Sequence, residues 1–242
     1  MDRIIRELAP TGILRAGINL GNVLLVTDTA SNGDPIGVSP DMSAEIARRL
    51  GVGVSYVSFP SPGAVADGGE TNSWDICLIA DEPKRAKNIL FTSAYVEIEG
   101  TYLVSESSSF QRVEDVDSVG TRIAVSDRSA YDLYLTRSLK NATLHRAEGL
   151  PGAFDLYQSG DFDALAGLRP ALLENAVLTD GGRVLEDCYT TIQQALGTKL
   201  ENTVGAVFLQ NFVEEVTSNG FLAGLLERHD VVGKLQIAKS LR

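Results

Sequence analysis

The chain has few cysteines, few histidines and no long apolar run. Its 242 residues include 2 Cys, Cys77 and Cys188, and 2 His, His145 and His229. So few cysteines do not build the disulfide framework of a small secreted domain, and no Cys and His spacing fits a zinc site. No run approaches the roughly 20 apolar residues that cross a bilayer. We therefore expect no metal site and no membrane insertion, and we expect both cysteines to be buried as small hydrophobes.

Basic residues are also in short supply. Lys and Arg number 21 against 32 Asp and Glu, which gives a formal net charge of −11. Binding to nucleic acid or to an anionic membrane needs clustered Lys and Arg, and the sequence contains no such cluster. With 44% hydrophobic and 22% charged residues, the composition is that of an ordinary globular chain. Its length suits one large domain or two of roughly 100 residues each.

Residues 1–8 form a charged amphipathic segment. This segment lacks the continuous apolar core and the small-residue cleavage site of an export signal. As written, the sequence predicts a cytoplasmic protein. The alternative is that an export signal was removed ahead of Met1, in which case the location is periplasmic.

The stretch from residue 74 to Val104 organises the chain. Residues 76–80 predict a buried strand, followed by a polar turn that carries Asp81 and a short helix that begins at Pro83 and contains Arg85. Proteins of the α/β class bind their ligands where a strand ends and a helix begins. Arg85 is therefore the first candidate ligand residue.

The segments before residue 74 are predicted to have a structural role. Ser39 is a candidate N-cap for a helix that places Met42, Ile46 and Leu50 on one face. A short helix is expected at residues 62–66, and the glycine-rich residues after it predict an exposed loop because glycine is a poor helix former.

In the second half of the chain, residues 121–125 predict a strand that leads through Ser126 to Ser129 into a helix. Free backbone N–H groups and the helix dipole make such a turn an anion site. Ser129 either adds a ligand-binding hydroxyl or serves as a plain N-cap. A further strand ends at residue 166.

The order of these features resembles the type 2 periplasmic-binding-protein fold, in the extracellular solute-binding family 3, the polar amino-acid ABC-transporter substrate-binding proteins. The resemblance is carried by a short apolar strand opened by Asp75, by Arg85, and by Phe91-Thr-Ser-Ala-Tyr95 before an extended run. It covers nearly the whole chain.

This resemblance implies an α/β protein with two lobes, each a mixed β-sheet flanked by helices. Residues 1–103 and 193–242 would form the discontinuous first lobe, and residues 104–192 the second. Two extended hinge crossovers would join the lobes, which would close on a ligand.

The resemblance also implies a set of ligand residues. An Arg placed as Arg85 is pairs with the ligand's α-carboxylate, for which the fork of guanidinium N–H donors is suited. The turn from Ser126 to Ser129 would grip the same carboxylate from the second lobe. The further candidate ligand residues are Asn19, Asn22, Asp81, Arg128, Tyr131, Arg169 and Gln194. For the two Asn, the alternative is a turn role, since Asn tolerates left-handed conformations.

One position departs from the family pattern. Relatives that bind α-amino acids carry an Asp just ahead of the position of Pro170, where it neutralises the ligand's ammonium, and here Leu168 stands in its place. A Leu accepts no hydrogen bond, and a buried unpaired charge is costly. Either Asp81 takes over the ammonium, which we favour, or the ligand has none.

The expected function is the binding of a small carboxylate-bearing metabolite, an amino acid or a close analogue. No nucleophile elbow or phosphate loop is present, so no catalytic residue and no cofactor is assigned. The resemblance extends to cyclohexadienyl (arogenate) dehydratases, in which case Asp81, Glu97 and Glu99 are candidate general acids. A cytoplasmic ligand-sensing module is a further alternative. We expect a monomer, with an ABC-transporter permease as partner if the chain is exported.

Overall fold

A computed structural model describes residues 1–179 and 181–239. The chain folds into two compact units, Met1–Glu97 with Gln193–Arg242 and Ile98–Ile192. Each unit contains a mixed β-sheet flanked by helices, which confirms the predicted fold class. The predicted boundary between residues 103 and 104 stays a prediction.

The helices and strands are numbered along the chain. They are α1 (Asp2–Leu8), β1 (Ile13–Asn19), β2 (Asp28–Thr29), β3 (Pro35–Ile36), α2 (Val38–Leu50), β4 (Gly53–Phe59), α3 (Pro62–Glu70), β5 (Ile76–Ala80), β6 (Ile89–Ser105), β7 (Arg122–Ser126), α4 (Ala130–Ser138), β8 (Thr143–Ala147), α5 (Gly149–Gln158), β9 (Ala164–Leu168), α6 (Arg169–Leu178), β10 (Gly182–Val184), β11 (Thr190–Lys199), α7 (Thr203–Ser218), α8 (Phe221–Arg228) and β12 (Gln236–Ile237). No helix in this described part of the chain is both long enough and apolar enough to span a bilayer.

In the first unit, β1 lies between β4 and β5 and runs parallel to both. The last residues of β11 pair antiparallel with β5. All five residues of β5 are buried, as expected for a central strand covered on both faces. Because β1 and β5 are parallel, the polar loops that follow them emerge at the same edge of the sheet.

Helix α3 continues beyond its predicted end at residue 66 and stops at Glu70, so the expected exposed loop is confined to residues 71–73. Two glycines of this last turn lie against aromatic rings. A Cβ on Gly68 would sit 2.7 Å from the Phe59 ring, and one on Gly69 would sit 2.7 Å from the Trp74 ring. Close packing on buried rings outweighs the poor helix propensity of glycine here.

Two predicted helix starts are also wrong. Helix α2 begins at Val38 with Gly37 as its N-cap, because Ser39 is buried, with its Oγ 3.3 Å from the hydroxyl of Tyr95. No helix begins at Pro83. The segment up to β6 consists of hydrogen-bonded turns, since β6 starts too soon for a helix to propagate.

The second unit is built on β9 and β7. Strand β9 pairs antiparallel with β6 and parallel with β7, and β7 pairs parallel with β8 on its other side. Helix α5 packs Ala153 and Tyr157 against Ala124 and Leu165 of the sheet. Helix α6, which the sequence did not predict, follows β9 directly, with Pro170 in its first turn. The carboxyl ends of β7 and β9 therefore share one edge.

Both cysteines are free. Cys77 is fully buried in β5, as predicted, whereas Cys188 is only half-buried. Burial raises the pKa of the Cys77 thiol. A thiol in this state packs as a small hydrophobe.

Candidate functional site

Three predicted ligand residues gather at the carboxyl end of β5. Asp81 follows the strand, and its backbone N–H donates to the Gln193 carbonyl at 2.9 Å. Gln194 lies opposite Ala80 in the antiparallel register. The Nη1 atom of Arg85 donates to the Ala80 carbonyl at 2.9 Å. The fold thus brings together residues that are distant in sequence.

Arg85 is the charged centre of this edge. Its side chain is buried, although the turn that carries it is exposed on both sides. Burial and the neighbouring Glu82 raise the pKa of the Asp81 carboxyl, and Arg85 acts in the opposite direction. The edge therefore combines a buried guanidinium with a carboxyl that takes up a proton more readily than usual. The pairing of Arg85 with a ligand stays a prediction.

Asn19 and Asn22 lie at the end of β1, next to β5 in the sheet. The Oδ1 atom of Asn19 accepts from the Gly21 N–H at 3.1 Å, and that of Asn22 accepts from the Leu24 N–H at 3.2 Å. Both side chains therefore stabilise the turn by accepting backbone N–H bonds, and neither residue has the left-handed backbone on which the predicted turn role was based. A ligand contact through either amide stays a prediction.

In the second unit, the turn after β7 begins α4. Ser126 and Ser129 are buried, and the Ser129 Oγ accepts from the Asp132 N–H at 3.0 Å as the N-cap of the helix. Arg128 is exposed and has a left-handed backbone, with φ of 55°. Its N–H donates to the Asp132 carboxylate at 2.8 Å. The N-cap role of Ser129 is thus present, at a helix end whose dipole attracts anions.

Tyr131 lies in the first turn of α4. The side chain is buried, and its hydroxyl has no hydrogen-bond partner within residues 1–179 and 181–239. Burial raises the pKa of this phenol, while the nearby Ser129 and Ser126 side chains act in the opposite direction. A buried hydroxyl without a partner costs about 1–3 kcal/mol, so natural structures seldom keep one without a use.

Arg169 is engaged by its own unit. The guanidinium pairs with the Glu99 carboxylate and donates to the carbonyls of residues 185, 186 and 187, the last three at 2.8, 2.8 and 3.0 Å. The observed role is to hold that segment, and a ligand contact stays a prediction. Leu168, immediately before it, is buried at the end of β9.

Sequence reasoning missed a group of tyrosines in the second unit. The ring centroids of Tyr102 and Tyr189 are 4.8 Å apart, and those of Tyr134 and Tyr189 are 6.0 Å apart. Burial, with the other tyrosines adding to it, raises the pKa of Tyr189. These residues are far apart in sequence, so no local signal could have grouped them.

It also missed the ion pair of Asp132 with Arg146, whose Nη2 lies 2.9 Å from the carboxylate Oδ1. A signal existed for Asp132 alone, because Ser129 followed three residues later by an acid is a helix-start pattern, and that pattern does not point to Arg146. Among the described residues, no group of three His, Cys, Asp or Glu is placed to hold a metal ion.

Solved structures with the same fold are numerous. An ArgBP mutant from T. maritima superposes with a TM-score of 0.76 at 21% identity, covering 94% of this chain and 99% of that one. An amino acid ABC transporter substrate-binding protein from Streptococcus pneumoniae bound to L-arginine has a TM-score of 0.76 at 18% identity, covering 97% and 99%.

The ancestral amino acid-binding protein AncCDT-1, described as a precursor of cyclohexadienyl dehydratase, has a TM-score of 0.76 at 21% identity, covering 93% of this chain and 97% of that one. A search of curated proteins found no match. At these identities the structural likeness establishes the fold.

The family follows from the sequence itself. The model of the bacterial extracellular solute-binding proteins, family 3, matches residues 22–229, which include Arg85 and the turn from Ser126 to Ser129. The chain therefore belongs to the bacterial extracellular solute-binding proteins of family 3.

Proposed function

We propose that this solute-binding protein binds a small metabolite with a carboxylate group, an α-amino acid or a close analogue. The observation that carries the proposal is the start of α4, where Ser129 caps the helix and the buried Tyr131 hydroxyl has no partner among the described residues. The structural relatives support the same class, since their descriptions name amino-acid binding and, for one, bound L-arginine.

The chemistry of the turn suits a carboxylate. A helix N-terminus presents unsatisfied backbone N–H groups and a partial positive charge. Hydroxyl groups at Ser126 and Ser129 border the same position, and the Tyr131 phenol lies against them. A carboxylate that accepts from these groups would satisfy the buried phenol without needing a protein acceptor.

Arg85 provides the second recognition element. A guanidinium pairs with both oxygens of a carboxylate, and burial strengthens a charge-assisted hydrogen bond. Arg85 is buried at the end of β5, and its Nη1 donates to the Ala80 carbonyl. That hydrogen bond fixes the side chain and lowers the entropic cost of holding a ligand.

The experiment is a thermal-shift screen of the purified chain against the amino acids, dicarboxylates and prephenate. A ligand at a hundredfold excess over its dissociation constant stabilises the folded state by about 2.7 kcal/mol. We expect an amino acid to raise the melting temperature of the parent and not of Arg85→Ala. Arg49→Ala is the matched control, because Arg49 is a partly buried Arg of the same unit that pairs with Glu45 and Glu215.

The control variant should melt earlier yet keep the ligand shift. An amino-acid shift that survives in Arg85→Ala would remove Arg85 from the site. No shift with any amino acid would overturn the proposal, and turnover of prephenate would establish the dehydratase alternative instead.

Asp81 is the proposed partner of the ligand's ammonium group. The Asp81→Asn variant should weaken binding of the amino acid and leave binding of the corresponding acid without the amino group unchanged. Equal affinity of parent and variant for the amino acid would mean that Asp81 does not face the ammonium.

For partners, we propose that the chain acts as a monomer and that an ABC-transporter permease receives its solute if the protein is exported. Support comes from the description of the streptococcal relative as part of an amino acid ABC transporter. Sedimentation of the purified chain tests the first point, and ligand-dependent stimulation of a reconstituted permease tests the second.

A further inference from the structure

We infer that Asp132, paired with Arg146, is a positioning device that holds the turn from Ser126 to Ser129 in its ligand-binding conformation. The inference rests on the function proposed above and names residues that act on the ligand only through the turn. Neither residue was a candidate in the sequence, and neither belongs to the ligand contacts proposed above.

The turn needs such a device because of Arg128. Its φ of 55° is left-handed, a conformation that residues with a side chain rarely adopt. A residue held there persists only when its surroundings compensate for the strain. The compensation is a hydrogen bond of 2.8 Å from the Arg128 N–H to the Asp132 carboxylate.

Asp132 forms two hydrogen bonds with the turn. Its carboxylate accepts from Arg128, and its own backbone N–H donates to the Ser129 Oγ at 3.0 Å. The residue is 2% exposed, so water does not compete for these bonds. The Asp132 side chain therefore holds the strained residue, and its backbone N–H donates to the N-cap of α4.

A carboxylate in the first turn of α4 raises an electrostatic problem. It would repel the anionic group of the ligand that the helix N-terminus is proposed to attract. Arg146 solves this by pairing with Asp132, with Nε and Nη2 at 3.0 and 2.9 Å from its Oδ1. The Nη2 atom also donates to the Thr136 Oγ1 at 2.7 Å, which orients the guanidinium.

A second observation points to a ligand at this turn. The Tyr131 hydroxyl is buried next to Ser126 and Ser129 and has no partner in the described part of the chain. The backbone N–H groups of Arg128 and Ser129 donate to Asp132 and Ser126, the Ser129 Oγ accepts from Asp132, and none of these bonds ends on the phenol. A bound acceptor at this turn would satisfy that donor.

The experiment compares the parent with Asp132→Asn, Arg146→Gln and Arg146→Lys. Binding of each of the twenty L-α-amino acids is measured by calorimetry, and amide hydrogen exchange is followed across residues 122–138. The control is Asp117→Asn. The Asp117 carboxylate also accepts backbone N–H bonds, from residues 140, 141 and 142, ahead of the amino end of β8.

We expect Asp132→Asn to bind the amino acid about tenfold more weakly, because the neutral Asn oxygen holds the Arg128 N–H less strongly than a carboxylate and this loss outweighs the removal of a negative charge near the ligand. Exchange of the Arg128 and Ser129 amides should accelerate in the same variant. Arg146→Gln should weaken binding because Asp132 is left uncompensated, and Arg146→Lys should restore most of it. Asp117→Asn should lose stability and keep its affinity.

Two results would overturn the inference. One is an affinity of Asp132→Asn for the amino acid equal to the parent's. The other is amide hydrogen exchange of the turn in Asp132→Asn that occurs only through global unfolding, as in Asp117→Asn. If no amino acid binds the parent, the proposed function is wrong, and slow turn exchange in Asp132→Asn would then overturn the inference separately.

Discussion

Replacement of Tyr131 by Phe should stabilise the ligand-free chain and weaken ligand binding. The Tyr131 side chain is 4% exposed, and its hydroxyl has no hydrogen-bond partner among the described residues. Leaving a buried hydroxyl unsatisfied costs about 1–3 kcal/mol, and removing the group recovers that cost. For a chain of this length, each kcal/mol moves the melting temperature by about 2–4 °C.

The matched control is Tyr95→Phe. Tyr95 is also fully buried, but its hydroxyl lies 3.3 Å from the Ser39 Oγ. Loss of that partner should lower the stability by about 1 kcal/mol. The two Tyr to Phe changes thus remove the same atom and should shift stability in opposite directions.

The assay is thermal and urea unfolding of parent and variants, followed by far-ultraviolet circular dichroism, with and without an amino-acid ligand. Without ligand, Tyr131→Phe should melt above the parent and Tyr95→Phe below it. With ligand, the gain of Tyr131→Phe should shrink, because the parent phenol then has an acceptor. Equal losses in both variants would refute the reasoning, since the Tyr131 hydroxyl would then be satisfied without ligand.

Two further predictions concern the first unit. Hydrogen bonds from Arg48 hold the pKa of Glu45 at about 2, below its usual 4.5. A carboxyl whose pKa is lower in the folded state stabilises the fold at pH values above its unfolded-state pKa. Glu45→Gln should therefore lower the free energy of unfolding by under about 1 kcal/mol at pH 7. Urea unfolding should show this difference from the parent shrinking as the pH falls from 4.5 to 2. A constant difference would contradict this. Gly37 and Gly33 both have positive φ, but a Cβ on Gly37 would lie 2.3 Å from a backbone oxygen, whereas Gly33 has open space. Gly37→Ala should therefore cost more than the roughly 1 kcal/mol expected for Gly33→Ala in the same assay, and equal costs would show that the collision relaxes.

Much of the fold could be predicted because its signals are local. The apolar run of β5 and the helical spacing of Met42, Ile46 and Leu50 predicted buried faces, and all of these residues are buried. The N-cap at Ser129 depends on the preferences of a few neighbouring residues. Such preferences can be read without knowing what packs nearby.

Predictions from the sequence were wrong where contact with a residue distant in the chain decides the local structure. The end of α3 depends on the rings of Phe59 and Trp74, and the start of α2 depends on the burial of Ser39. The engagement of Arg169 by Glu99 and by the carbonyls of residues 185–187 has no local pattern either. Propensity is a weak prior that such contacts override.

By itself, the sequence determined the fold class, the family and the strand ends at which ligand residues were expected. These depend on periodicity, turn chemistry and the order of short motifs, all of which lie along the chain. Only the tertiary structure decided that the Tyr131 hydroxyl is buried without a hydrogen-bond partner among the described residues. It also decided that the Asp132 carboxylate accepts from the Arg128 N–H and is neutralised by Arg146. Hydrogen bonding and burial depend on which atoms meet in space: Arg128 and Asp132 are four residues apart, whereas Arg146 comes from the separate strand β8.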